Sequence, residues 1–372
     1  MKKYKIFSII LFLLFFISAE SKSTQFSNGK TSLSILDINI WSGLNYKGYL
    51  KMGEYETDVI REKRYQTLIK QITELNPDII GVHEANKLPQ YAVKLASDIG
   101  YEVFFHVGVG GIHLGSIGIP WNLREGDAIL VKKRLNPEFI GRKQLSGGYV
   151  SNWATFHFSD ATQVIGIRVT IHNKPIYVYA THWHASLSSS SKIISKAKEL
   201  YKNGETSEEE YQSLLSDINE GVKWRISESE KTIEFIQQTA KDNPFILMGD
   251  FNAESESQEI KKLLQFDMID SFHFINKDSL GFTWDPITNL NHKIHYLKND
   301  NLNEELNLYS KIRKYSKNIP KRIDYIFVGP KSFISPDKIS IKSSKVVMKK
   351  IINGVHASDH YGIFTELEII NL

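Results

Sequence analysis

The chain of 372 residues has no cysteine, which excludes disulfides, thiolate metal sites and a cysteine-linked lipid. Long apolar runs are equally scarce. The one at the start, Phe7 to Ile17, follows Lys2, Lys3 and Lys5 and precedes the small residues Ser18, Ala19 and Ser21. It is short of the roughly 20 residues that cross a bilayer, and its basic, apolar and small parts have the layout of a secretory signal peptide. We therefore expect a leader over residues 1–21 and a mature chain, 22–372, that is secreted or periplasmic and carries no transmembrane segment. Charge of one sign is not in excess either: 46 Lys and Arg against 42 Asp and Glu leave a formal charge of +4. That balance suits an anionic substrate without demanding one. No internal repeat recurs at a fixed period, which excludes solenoids and propellers. No stable protein partner is implied.

What is present is β-rich. Strand-like runs are predicted at Ser32–Asn39, Ile79–Val82, Tyr101–Val107, Asp127–Lys133, Tyr149–Phe158, Gln163–Ile171, Ile176–Thr181, Phe245–Met248, Ile323–Val328 and Gly362–Ile369. Tyr65, Leu68, Ile69, Ile72 and Leu75 fall at helical spacing before Pro77, and Glu208–Thr239 reads as one or two helices with a solvated charged face. Residues 186–243 and 287–321 read as long insertions, the second polar and without clear periodicity. Strands interleaved with helices over this length point to an α/β chain forming one domain.

Acidic and amide side chains recur where these strands end. Asn39 closes the first run, Glu84 follows Ile79–His83, Asp250 and Asn252 follow Phe245–Met248, Asp324 lies inside Ile323–Val328, and Asp359 and His360 precede the last strand. Carboxylates beside buried apolar strands are costly unless they are paired or hold a metal. Hard oxygen donors without cysteine suit Mg²⁺, with Mn²⁺ or Ca²⁺ as alternatives, better than zinc. Such an ion with a carboxylate-paired histidine is the equipment of phosphoester hydrolysis.

Six segments in order, Ile38-Asn39-Ile40-Trp41, Asp78-Ile79-Ile80-Gly81-Val82-His83-Glu84, Ala180-Thr181-His182, Gly249-Asp250-Phe251-Asn252-Ala253, Arg322-Ile323-Asp324-Tyr325-Ile326-Phe327 and Ser358-Asp359-His360-Tyr361, resemble the motifs of the endonuclease/exonuclease/phosphatase superfamily. That superfamily includes DNase I, exonuclease III-type enzymes, neutral sphingomyelinases and inositol polyphosphate 5-phosphatases. The resemblance implies a four-layer α/β sandwich, two mixed β-sheets packed face to face with helices outside. It also implies roles. Glu84 would be the principal metal ligand, with Asn39 beside it and Asp359 near the ion. Asp250 and Asn252 would hold the scissile phosphate and the attacking water. His360, oriented by Asp324, would be the general base, and His182 would stabilise the phosphate or protonate the leaving group. Glu125 matches by position the glutamate that supports the equivalent of His182. His83 and His184 belong to no motif and are expected to be structural, with His83 on the side of its strand opposite Glu84.

The resemblance fixes the reaction better than the substrate. Phe282-Thr283-Trp284-Asp285-Pro286 is similar to segments of both sphingomyelinases and exonuclease III-type enzymes. An arginine of DNase I is replaced near Asn152-Trp153, and the Lys-rich stretch Ser340–Lys350 lacks the aromatic hairpin of the lipid-acting enzymes. The expected function is a secreted metal-dependent phosphodiesterase of nuclease type, acting on nucleic acid. The alternatives are a phospholipase C acting on a phospholipid head group, a sugar or inositol phosphate phosphatase, and a non-catalytic binding protein on the same fold.

Overall fold

Two six-stranded mixed sheets organise the chain. The structure, a computed structural model, describes residues 29–45, 52–110, 113–114, 117–118, 123–147, 162–293, 307–370 and 372. The expected leader and the strand expected at Tyr149–Phe158 lie outside the described residues. The first sheet runs β13 (Ile339–Val347), β14 (Gly362–Ile369), β1 (Thr31–Asn39), β2 (Ile79–Ala85), β6 (Arg124–Val131), β3 (Glu102–Gly110). The second runs β11 (Ile269–Asp270), β12 (Asp324–Gly329), β10 (Phe245–Asp250), β9 (Lys174–His182), β8 (Gln163–Ile171), β7 (Glu138–Gln144). A short antiparallel pair, β4 (His113–Leu114) and β5 (Ile117–Gly118), stands apart.

Both sheets follow one local plan. In the first, β1 is parallel to β2 and antiparallel to β14; in the second, β10 is parallel to β9 and antiparallel to β12. Parallel neighbours need a crossover of a dozen residues or more. Helix α1 (Asp58–Leu75) lies in the crossover from β1 to β2. It starts where the Thr57 side chain accepts from the Ile60 N–H and ends at left-handed Asn76, ahead of Pro77. Helices α3 (Ser191–Lys202) and α4 (Glu208–Thr239) fill the crossover from β9 to β10. Helices α2 (Gln90–Ile99), α5 (Gln258–Gln265), α6 (Ser271–Ile275) and α7 (Leu308–Lys317) complete the set named here.

Alternation along the strands sorts the residues into four layers. Leu33, Ile35, Ile79, Ile129, Val178, Ile246, Ile326 and Ile363 meet between the sheets. The intervening residues face outwards. Leu36, Ile38, Ile80, Val82 and Leu130 pack on Leu68 and Ile72 of α1 and Leu95 of α2, while Tyr179, Leu247 and Phe327 pack on Phe235 of α4 and Ile260 and Leu263 of α5. The expected sandwich is the one observed.

The differences from expectation have physical causes. β7, β11 and β13 escaped the strand pattern, and all three lie at sheet edges, where charged residues such as Lys342 and Lys345 interrupt the hydrophobic alternation and discourage edge pairing. Helix α4 is a single helix of 32 residues, and its polar residues are not all solvated. Arg225 is buried against Glu259, and buried Glu228 accepts from Ser146, Thr162 and the His184 N–H. The second insertion is not wholly a surface loop: buried Asn289 and Asn291 donate to the Ser358 carbonyl, and Leu308 and Ile312 of α7 are buried.

Asp78 fastens the entry of β2. It accepts from the Ser34 N–H at 3.0 Å and from Lys132 at 3.1 Å and Arg134 at 2.6 Å. Burial pushes its pKa up, but these donors outweigh burial and hold it below the ordinary carboxylate value. A depressed folded pKa contributes stability above the unfolded value near 3.9 and loses it as the pH falls through the folded one. Asp78→Asn should therefore cost about 1.5–3 kcal/mol at pH 7. Urea unfolding should show that difference shrinking below about pH 4, and a pH-independent difference would contradict this role.

Candidate active site

The layer between the sheets is apolar for most of its length and polar at one end. The inward alternation Leu33, Ile35 continues in β1 as Asp37 and Asn39; in β2 Ile79 is followed by Gly81 and His83; in β9 Val178 and Ala180 lead to His182; in β10 Ile246 and Met248 lead to Asp250. Register brings these ends together. Asn39 lies opposite His83, and Asp250 lies between His182 on one side and Asp324 on the other. Gly249 permits this approach, because a Cβ there would stand 2.1 Å from the Thr181 carbonyl oxygen.

Asn39 joins the two sheets. Its Nδ2 donates to Glu84 Oε1 at 2.9 Å and to Asp250 Oδ2 at 3.0 Å, while its Oδ1 accepts from the Trp41 N–H at 2.9 Å. Asp250 repeats the turn, its Oδ1 accepting from the Asn252 N–H at 2.9 Å. In both turns the second residue has a left-handed backbone, Trp41 at φ 57° and Asn252 at φ 48°. Glu84 is left-handed too, at φ 54°, where the pairing of β2 with β6 slips. Such conformations persist where surrounding bonds enforce them. Here Ser42 N–H donates to Glu84 Oε2 at 3.2 Å, and buried Arg64 of α1 donates to the carbonyls of Ile40, Trp41 and Ala357.

His360 and Asp324 form the second half. His360 Nδ1 donates to Asp324 Oδ2 at 3.0 Å, and Nε2 stands 3.8 Å from Asp250 Oδ2. Thr283 Oγ1 accepts from the Ile323 and Asp324 N–H groups, and the Trp284 ring lies 5.1 Å from the His360 ring. Burial opposes the imidazolium, yet Asp324, Asp250 and Asp359 outweigh it and raise His360 to about 10. Burial raises Asp324 in turn, with His360 pulling the other way. His182 Nε2 lies 3.1 Å from Asn252 Nδ2 and 3.7 Å from Asp250 Oδ2. Burial works against its charge, and Asp250, Glu84 and Asp127 more than compensate, so its pKa is raised.

Of the residues expected from sequence, Glu84, His182, Asp250, Asn252, Asp359 and His360 line one cleft of about 590 Å³. Asn39 and Asp324 lie beneath it, each bonded to a lining residue. Glu125 is buried in β6 two residues from Asp127, whose charge, with those of Asp250 and Glu84, raises the pKa of His182. His83 is also placed differently from expectation. The left-handed turn at Glu84 breaks the alternation, and both residues reach the polar end. His83 donates to Asp37 and Asp127 at 2.8 Å each, and its ring centre is 6.4 Å from that of His182. The His184 ring is stacked on Trp224, 5.4 Å between centres. Lys321, Asp37 and Asp127 were not singled out by sequence; Asp37 and Asp127 sit two residues from expected positions on the inward face of their strands.

The donors fit a hard divalent cation. Asp250, Asp324 and His360 offer ligand atoms that all lie within 4.8 Å of one another, and Asp324 Oδ1 is buried with no hydrogen-bond partner among the described residues. Glu84 and Asp359 add carboxylates to the same cleft. Asn39, expected beside Glu84 and Asp359, turns its N–H groups to Glu84 and Asp250. Oxygen-rich donors with one imidazole suit Mg²⁺ or Mn²⁺.

Residues 38–360 match the model of the Endonuclease/Exonuclease/phosphatase family. The chain belongs to this family. The family is generally phosphoester-cleaving and typically dependent on a divalent metal. The search of curated proteins returns no match. Among solved structures, TDP2 of D. rerio in complex with a single-strand DNA product is similar at 14% identity and a TM-score of 0.55, covering 91% of this chain and 99% of that one. The human Nocturnin catalytic domain with bound sulfate is similar at 15% identity and 0.52, covering 90% and 93%. A family protein of Bacteroides vulgatus is similar at 14% and 0.53, covering 91% and 99%. At these low identities the structural likeness shows a shared fold alone.

His83 holds two buried carboxylates of this family member apart from solvent, and removing one partner of a buried ion pair costs about 3–5 kcal/mol. His83→Ala should lower the unfolding free energy by about that amount, and His83→Gln, which keeps a donor, by about half. Equal urea midpoints for the three proteins would refute the role.

Proposed function

We propose that this chain is a divalent-metal-dependent phosphodiesterase of nuclease type that works outside the cytoplasm. The observation that supports it most is the line Asp324, His360, Asp250: an oriented imidazole whose free nitrogen stands 3.8 Å from a second carboxylate at the end of an open cleft. That gap suits a water molecule held by both groups. Asp324 fixes the ring through Nδ1, leaving Nε2 to take the water's proton. On the other side, Asn252 Nδ2 and His182 Nε2 converge at 3.1 Å. One Asn252 N–H is held by the Trp183 carbonyl; protonation of His182 Nε2 frees the other, so that both side chains donate to a phosphoryl oxygen and His182 supplies the leaving oxygen's proton. Of the donors around the cleft, Glu84, Asp250 and Asp359 would hold a divalent cation, leaving Asp324 and His360 for proton transfer; the ion would neutralise charge on the phosphoryl oxygens and offset the carboxylate field that keeps His360 protonated. Work outside the cytoplasm is supported by the basic, apolar and small-residue start of the chain.

The test is an assay of the purified mature chain with Mg²⁺ against supercoiled DNA, single-stranded oligonucleotides, sphingomyelin vesicles and inositol phosphates. Nucleic acid should be cut. Asp250→Ala or His360→Asn should lower kcat by about 10²–10⁴-fold with an unchanged circular dichroism spectrum. Chelation by EDTA should stop turnover, and added Mg²⁺ should restore it. Wild-type-like rates in either variant, or full activity in chelator, would overturn the assignment.

A further inference from the structure

The two insertions meet beside the cleft. Ile193, Ala197 and Leu200 of α3, Leu214 and Ile218 of α4, and Leu308 and Ile312 of α7 form an apolar cluster of their own, distinct from the layers of the sandwich. The neighbouring stripe of α7, one residue along, is Tyr309, Arg313 and Lys317, and it lines the same cleft as Asp250 and His360. Four-residue steps keep these three on one helical face, about 6 Å apart along the axis.

The wall is tied to the reaction centre. Lys321 donates to Ser316 at 3.1 Å, and Trp284 Nε1 donates to the Lys317 carbonyl at 3.1 Å while its ring lies against His360. The cleft thus has two electrostatic halves: a floor of Glu84, Asp250 and Asp359, and a wall of cations with an exposed tyrosine. A lone phosphodiester at the floor leaves that wall unused. The aliphatic residues Leu308 and Ile312 of α7 face α3 and α4, so among the described residues the α7 side of the cleft presents charged groups and the Tyr309 ring rather than an aliphatic surface.

We propose that Tyr309, Arg313 and Lys317 form a subsite for the nucleotide next to the scissile phosphate in a single-stranded nucleic acid. Arg313 and Lys317 meet the adjacent phosphate, and Tyr309 stacks on a base, the combination by which single strands are held. This rests on the nuclease reading given above.

Binding and cleavage separate the two claims. Anisotropy of a labelled phosphorothioate dT octamer with the full mature chain reads the subsite without turnover. Arg313→Ala should raise Kd about tenfold, as should Tyr309→Ala, each within the range of losing one stacked or charged contact. Arg313→Ala should also reduce the slope of log K against log salt by about 0.7, the loss of one phosphate contact on a single strand. In cleavage, the ratio of kcat/KM for the unmodified octamer over bis(p-nitrophenyl) phosphate should fall about tenfold in Arg313→Ala. Both residues are exposed, and unchanged melting confirms folding. No octamer binding by the wild type, or unchanged Kd and salt slope in Arg313→Ala, would overturn the subsite. So would a variant that loses sphingomyelin-vesicle binding while keeping octamer binding. Failure of the wild type to cleave either substrate would count against the nuclease reading alone, since octamer binding still decides the subsite.

Discussion

The hydrogen bonds from Asn39 to Glu84 and Asp250 are the contact on which the rest of the site depends. Glu84 belongs to the first sheet and Asp250 to the second, so one amide meets carboxylates from both at the place where the apolar layer stops. Two carboxylates, buried Asp250 and half-buried Glu84, facing each other would repel. An amide that donates to both and returns its oxygen to the Trp41 N–H sets their spacing without adding charge. Each later feature, the left-handed Glu84, the turn at Asp250 and the approach of His182 and His360, is arranged around that spacing.

The polar end is a continuation of the core rather than an addition to it. The period of two that places Ile35 and Ile246 between the sheets also delivers Asp37, Asn39 and Asp250 there, because inward positions remain inward to the strand's end. The site therefore inherits the rigidity of the sandwich. His83 shows the cost: placed by the same alternation, it is kept charged between two carboxylates, and its stability is inseparable from theirs.

How much of this was legible in the sequence follows from what each feature depends on. Central strands were read well, β8 and β14 to their end residues, because their inward residues, Ile165 to Ile171 in one and Ile363, Leu367 and Ile369 in the other, keep a period of two. Edge strands β7, β11 and β13 were not, since pairing on one side tolerates lysine and serine. The six motifs located the cleft, as residues at strand ends stay near their strands whatever the loops do. What depends on backbone departure was hidden: the left-handed Glu84 is not marked by glycine, so the sequence placed His83 away from the site. Lys321 and Asn291 were hidden for another reason. Their importance lies in partners such as Ser316 and the His356 carbonyl, which short-range pattern does not reveal.

The separate apolar cluster under α7 has a consequence for how such a protein changes over time. A wall that rests on its own small core can be re-tilted or re-surfaced by substitutions at Leu308, Ile312 or their partners in α3 and α4, none of which belongs to the layer carrying Asn39 and Asp250. The wall and the reaction centre are thereby linked through Trp284 and Lys321 rather than through a shared core. Lineages that keep the same strand-end acids and histidines can drift in what they grip while the bond they break stays the same.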